Sequence, residues 1–429
     1  MDESGGRSGA KLAYREIEGR SAGYWAAVIV CGLLAAAGVA SALYMRAEGH
    51  HVTGMNNQIV WGLPHVFAVF LIVAASGALN VASIASVFGR ALYKPLARLS
   101  ALLAMALLIG GLWNLVLDLG RPGHILAAVL YPNFRSIFAW NIYLYTGFLV
   151  IVGFYLWFMM ERRLNPHTHT VGVLAFLWRL VLTTGTGSIF GFLAARSAYD
   201  SAVLAPLFIL TSFAFGLAIF VLVLMGGFKA LARPVGARLV ARLRSLLAVF
   251  VAAVLYFVAV YHLTNLYMAG HRGVESFMLV TGGLFPWLFW GGQVFVGGIV
   301  PLVLLLRPVP GGDGMALSRS LGLAAVAVVA GGLAQIYVLI IGGQSYPLQM
   351  FPGLIVKSSF YDGVVHNYVP HWPETVLALS GVAVVGLIVL IALRLLPFLP
   401  ESLADDVVSV HGARAQAPSA EGAAAGART

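Results

Sequence analysis

Ten stretches of the chain are each long and apolar enough to cross the roughly 30 Å hydrocarbon layer of a bilayer, which takes about 20 helical residues. They run from Ala26 to Tyr44, Val66 to Val87, Leu99 to Leu119, Ile137 to Met159, Val171 to Phe192, Val203 to Met225, Leu246 to Tyr267, Leu284 to Leu306, Leu321 to Ile341 and Val376 to Leu396. With 60% hydrophobic and 10% charged residues, a soluble domain of 429 residues is excluded. The expected fold is therefore an all-α integral membrane protein of ten transmembrane helices. Phe138-Ala139-Trp140 opens the fourth run and Phe285-Pro286-Trp287 the eighth, which suggests two similar four-helix bundles with flanking helices.

The net charge of +10 does not point to nucleic acid, because the basic residues sit at the ends of the apolar runs rather than in one patch. Of the 26 lysines and arginines, 19 fall on the side of the N-terminus and 6 on the other, with Arg179 inside the fifth run. By the positive-inside rule the N-terminal side is cytoplasmic, and an even number of spans puts both ends there. The expected organisation is a polar tail over 1–20, a membrane domain over 21–398 and a disordered Ala/Gly/Ser-rich tail over 399–429. The first apolar run is too long for a signal-peptide core and is expected to be retained. A long outer loop over 343–373, rich in aromatics and prolines, is expected to dock a partner. The single cysteine, Cys31, excludes an intrachain disulfide and a Cys-ligated iron–sulfur cluster, so metal redox chemistry would sit on a partner.

Once topology is set, each polar residue has a depth, and the informative ones cluster towards the outer side. His65 follows Pro64 at the start of the second helix, where proline is tolerated. Asn114 and Asp118 share one face at the outer end of the third helix, with Arg121 placed to pair with Asp118. Asn133, Arg135, Trp140, Asn141 and Tyr143 lead into the fourth helix, Tyr261, His262 and Asn265 end the seventh, and Gln335 and Tyr337 lie in the outer half of the ninth. Asp118 with Arg121 reads either as an ion pair that ties a helix end or as part of a shared pocket, and the convergence of histidines, carboxylate and amides at one depth favours the pocket. Arg179, followed by Thr183, Thr184, Thr186 and Ser188, is expected to snorkel to the cytoplasmic interface. The inner halves of the spans contain no carboxylate, which argues against a dedicated proton-pumping relay, and haem would need opposed histidines where only His65 and His262 lie near the spans.

The stretches Trp61-Gly62-Leu63-Pro64-His65, Asp118-Leu119-Gly120-Arg121-Pro122, Asn133 to Asn141 and Gly331-Gly332-Leu333-Ala334-Gln335-Ile336-Tyr337 resemble the NrfD / polysulfide reductase family of membrane subunits. Ten spans, Phe351-Pro352-Gly353 and Ser358-Ser359-Phe360-Tyr361-Asp362-Gly363 are similar to its longer branch, which includes the P subunit of the Dsr sulfur-oxidation complex and the membrane subunits of alternative complex III. The resemblance implies a subunit of the bacterial inner membrane that binds no haem or metal itself. It implies electron exchange between a quinone (menaquinone or ubiquinone) and a ferredoxin-like iron–sulfur subunit on the periplasmic side. Carried over by residue, His65 and Asp118 would be the catalytic, proton-handling pair, and Asn114, Arg121, Asn141, Tyr143 and His262 would complete the quinone site. Gln335 stands where shorter members often have a basic residue, which weakens the case for a second site in the later bundle. A secondary transporter and a purely structural anchor are the alternative readings.

Overall fold

The computed structural model describes residues 13–309, 313–348 and 364–407. Phe351-Pro352-Gly353, the 358–363 motif, the middle of the long loop and residues 408–429 therefore lie outside the described residues. Among the described residues ten helices are long and apolar enough to cross a membrane: α1 Ala22–Glu48, α2 Leu63–Ser86, α3 Ala91–Leu117, α4 Ile137–Met160, α5 Asn165–Gly191, α6 Leu204–Ala230, α7 Ala237–Tyr267, α8 Leu284–Leu306, α9 Gly314–Ser345 and α10 Trp372–Leu395. Each coincides with one of the ten apolar runs. Most helices reach past the runs, because the polar residues at the interfaces continue the internal hydrogen bonding that lipid demands.

The helices form two four-helix bundles. In the first, α2, α3, α4 and α5 pack in a ring; in the second, α6, α7, α8 and α9 do the same. The bundles join mainly where α6 lies against α2 and α5, and α1 and α10 pair with each other and cover the first bundle through α3 and α2. Lipid gives packed helices no hydrophobic driving force, so close van der Waals approach has to hold them. The α2–α6 crossing is made at Gly77 and Gly216, where a Cβ on Gly77 would collide with the Ser212 carbonyl oxygen and one on Gly216 with the backbone of Gly77 and Ala78.

Several helices depart from regular winding, α9 among them, with a π-helical stretch at Val338–Gly342. In α2 the break at Leu79 has a visible cause: the Ser100 hydroxyl donates to Ala78 O (2.6 Å) and accepts from Ala82 N (3.0 Å), inserting itself into the backbone ladder. In α8, Leu288–Ile299 is wound as a π-helix.

The two described chain ends meet. Strand β1 (Tyr14–Arg15) pairs antiparallel with β2 (Leu399–Pro400), and Ile17 N donates to Leu393 O. Residues 399–407, expected from composition to begin a disordered tail, are held here: Leu399 and Leu403 are buried, Leu403 N donates to Pro234 O, and the Asp405 carboxylate accepts from Arg238 N. This face, carrying both ends, is called the terminal face below, and the opposite one the distal face.

Candidate functional site

At the distal face, α2 begins and α3 ends side by side. Gly62 caps α2 and Pro64 sits in its first turn, where its missing N–H has no partner to lose, so His65 falls in that same first turn. The α3 helix stops at Leu117, leaving Asp118 as its cap. His65 Nδ1 and Asp118 Oδ2 are 3.0 Å apart, with the imidazole 22% exposed and the carboxylate 2%. The contact is at ion-pair distance but off the line of a hydrogen bond, and His65 Nδ1 and Asp118 Oδ1 are both buried without a hydrogen-bond partner. A partly open imidazole and a buried carboxylate, each with capacity unspent, can take a proton from a third group placed against them. His50, for which the sequence pattern carries no signal, contacts the Asp118 backbone carbonyl through Nε2 at 3.2 Å.

Aromatic rings flank the pair. Trp61 stacks with His65 (centroids 6.3 Å apart, 29° between planes) and meets Phe138, Phe190 and Tyr199 at 5.7–6.4 Å. Two buried side chains fix the entry to α2. The Gln344 amide, at the end of α9, accepts from Val60 N (2.9 Å) and Trp61 N (3.0 Å) and donates to Trp61 O (3.0 Å), clamping the backbone from the other bundle. The Glu374 carboxylate, fully buried in the first turn of α10, accepts from Gly54 N (2.7 Å), His371 N (2.8 Å) and the Tyr368 hydroxyl (2.6 Å). That hydroxyl in turn accepts from Leu63 N (2.7 Å). Burial, and then the charge of Glu374, push the Tyr368 phenol well above its ordinary range, so it stays a donor.

The remaining expected residues divide. Arg121 does not pair with Asp118: the helix has already ended, the chain turns at Arg121 (φ −135°, ψ 71°) into Pro122–His124, and the i, i+3 register is lost. Asn114 is fully buried and donates to Ala378 O of α10 (3.0 Å), while its Oδ1 has no partner. Asn141 donates to Ile137 O (2.9 Å) and Gly185 O (3.1 Å), locking α4 to α5. The Tyr143 hydroxyl donates to Val129 O (2.8 Å) in the short helix Ile125–Leu130 that precedes α4. Arg179 does not snorkel: it is 1% exposed, because α5 begins at Asn165, a turn and a half before the apolar run, and so carries Arg179 to its middle.

His262 belongs to a second polar cluster, in the second bundle. Its Nδ1 lies 2.7 Å from Glu275 Oε2, and Asn265 Nδ2 donates to Glu275 Oε1 (2.8 Å). Glu275 is buried in a short helical segment, Arg272–Ser276, between α7 and α8. It lies outside every apolar run, so depth in the membrane gives no signal for it. A cavity of about 40 Å³ is lined by His262, Glu275, Tyr261, Gln293, Gln335 and Phe208. Phe208 packs on Phe190, which meets Trp61, so one aromatic wall separates the two histidine–carboxylate pairs.

Comparison with known proteins places this architecture. The family model described as polysulphide reductase, NrfD, matches residues 51–347. The Hdr-like menaquinol oxidoreductase integral membrane subunit of Archaeoglobus fulgidus is 30% identical over 400 residues, covering 92% of this chain and 99% of the relative. A selenate reductase subunit of Mesobacillus selenatarsenatis is 24% identical, covering 89% and 96%, and a putative dimethyl sulfoxide reductase membrane subunit of Halobacterium salinarum is 27% identical, covering 86% and 90%. The matched region begins at the loop before α2 and ends just past Gln344, taking in both bundles and both histidine–carboxylate pairs, and the chain belongs to the NrfD polysulphide reductase family.

Proposed function

We propose that this chain is the quinone-interacting membrane subunit of an oxidoreductase complex, passing electrons between membrane quinone and an iron–sulfur subunit docked on the distal, periplasmic face. The observation that carries the reading is the His65–Asp118 contact just beneath that face, with its unspent hydrogen-bonding capacity beside the rings of Trp61 and Phe138. The naming of a 30%-identical relative as a menaquinol oxidoreductase subunit supports it. Oxidising a quinol to a quinone releases two electrons and two protons. A hydroxyl of the quinol against His65 gives up its proton to the imidazole, and Asp118, at 3.0 Å, stabilises the imidazolium that results. Passing that proton to the outer side frees the imidazole to take the second one, and the two electrons would go to the iron–sulfur subunit. Asn114, one turn below Asp118, ties that end of α3 to α10 through Ala378 O.

The excess of positive charge on the terminal face supports a cytoplasmic location for both chain ends in the cell membrane. The sulfur chemistry implied by the ten-helix resemblance is assigned to partner subunits. A second reading, with quinone in the later bundle, draws on the cavity at His262 and Glu275. That cavity has room for a water molecule or two rather than a ring, and the reading at His65 rests on the unspent hydrogen-bonding capacity of its pair. The test is isolation of the intact complex: stoichiometric extractable quinone and a co-purifying iron–sulfur protein are expected. A lone chain without quinone that takes up solute in liposomes would replace this reading with transport.

A further inference from the structure

Arg179 lies midway along α5, 1% exposed, and no carboxylate pairs with it among the described residues. Its Nη1 donates to Ser76 O (3.3 Å), midway along α2, its Nε is buried without a partner, and the rings of Phe176 and Phe213 lie 4.8 and 5.1 Å from its guanidinium carbon. A charge at this depth is costly, and its retention without a counter-ion asks for a function.

Polar groups approach it from both faces. Towards the terminal face, α2 carries Ser76, Asn80, Ser83 and Ser86 at helical spacing. Thr183 Oγ1 donates to Ser76 Oγ (2.5 Å), Asn80 Nδ2 is buried without a partner, and the Tyr155 hydroxyl donates to Ser86 Oγ (2.7 Å). Ser86, Tyr155, Lys94 and His169 line a cavity of about 530 Å³ on the terminal side. Towards the distal face, the Thr186 hydroxyl contacts the Tyr145 hydroxyl (3.3 Å) and donates to Asn141 Oδ1 (3.5 Å). Hydroxyls and amides able to order water thus run through most of the first bundle, and Arg179 sits across their midpoint as a fixed cation.

We infer that Arg179 is an electrostatic barrier that stops protons crossing the first bundle along this line. A hydronium ion approaching the midplane meets a like charge in a low-dielectric setting, while neutral water and the helix packing are unaffected. The inference does not rest on the quinone reading, since it concerns passive permeability. The Phe176 and Phe213 rings on the guanidinium, and its bond to Ser76 O, hold the charge in place.

The test uses the full chain reconstituted in liposomes enclosing a pH-sensitive dye, with an imposed pH gradient. Wild type and Arg179→Lys, which keeps the charge, are expected to be as tight as protein-free vesicles. Arg179→Gln, which keeps a polar side chain of similar length, is expected to leak protons at least about tenfold faster. Ser76→Asp, which leaves Arg179 in place and neutralises it with an adjacent carboxylate, is expected to leak in the same way and serves if the glutamine variant does not fold. Tight vesicles with a folded neutral variant would overturn the inference and leave Arg179 as a tie between α2 and α5. Equal leakage from the lysine and glutamine variants would overturn it too, by showing that shape rather than charge matters.

Discussion

At the scale of single residues, the His65–Asp118 pair and Glu374 make opposite uses of a buried carboxylate. Asp118 touches one imidazole and leaves an oxygen unspent, whereas Glu374 engages both oxygens in three hydrogen bonds from within the chain. The role proposed for the first is proton transfer, while the second anchors the chain. Replacing His65 with Ala, or Asp118 with Asn, is expected to lower quinol oxidation by the isolated complex by on the order of 10²-fold or more, the usual contribution of a general base, with the make-up of the complex unchanged. The double variant should be little worse than either single one, because the two groups act as a unit; additive losses would separate their roles. Glu374→Gln replaces an acceptor oxygen with an NH₂ group facing the Tyr368 hydroxyl, which is already engaged with Leu63 N. Losing a charge-assisted bond there costs roughly 1.5–3 kcal/mol, and a lower thermal-inactivation temperature in detergent is the expected readout.

At the scale of helices and their connections, what can be read in the sequence follows from what apolar periodicity encodes. The ten spans are legible because lipid imposes length and composition on each helix separately. His65 and Asp118 are legible for the same reason, as polar residues at helix ends of known depth. Asn141 and Asn114 give the same signal, yet both donate to backbone carbonyls of neighbouring helices, and nothing in one chain's pattern distinguishes an amide that locks helices from one that faces a ligand. Arg121 is misplaced by any reading that continues the helix through it. Gln344, Glu275 and Glu374 give no such signal: Glu275 and Gln344 lie outside the apolar runs, and the Gln344 contact with Val60 spans 284 positions of sequence. That contact makes a specific claim about coupling between the bundles. Gln344→Ala removes the clamp on the Trp61 backbone while leaving the His262–Glu275 contact intact. Turnover is expected to fall by about tenfold, the effect of losing roughly 1.4 kcal/mol of positioning, with the complex still assembled. Unchanged turnover would mean that packing of Trp61 on Phe190 and Tyr199 suffices to hold it.

For the whole molecule, orientation decides what the chemistry accomplishes. The pairing of β1 with β2 brings both described ends to one face, and His65 and Asp118 lie beneath the other. If the terminal face is cytoplasmic, the orientation that the 19-to-6 split of basic residues supports, protons released from quinol at His65 leave on the outer side of the membrane. The bundle between them then has to be proton-tight for that release to contribute to a gradient, which is the condition Arg179 would supply. The single cysteine makes the orientation testable: Cys31 lies within α1, so Cys31→Ala leaves a background without thiols. A cysteine placed at exposed Arg135, in the connection before α4, is expected to react with a membrane-impermeant thiol reagent added to spheroplasts. One at exposed Arg162, between α4 and α5, is expected to react only after the membrane is opened. The reverse pattern would place the His65–Asp118 pair on the inside, move proton release to the cytoplasm and require the iron–sulfur partner to dock there.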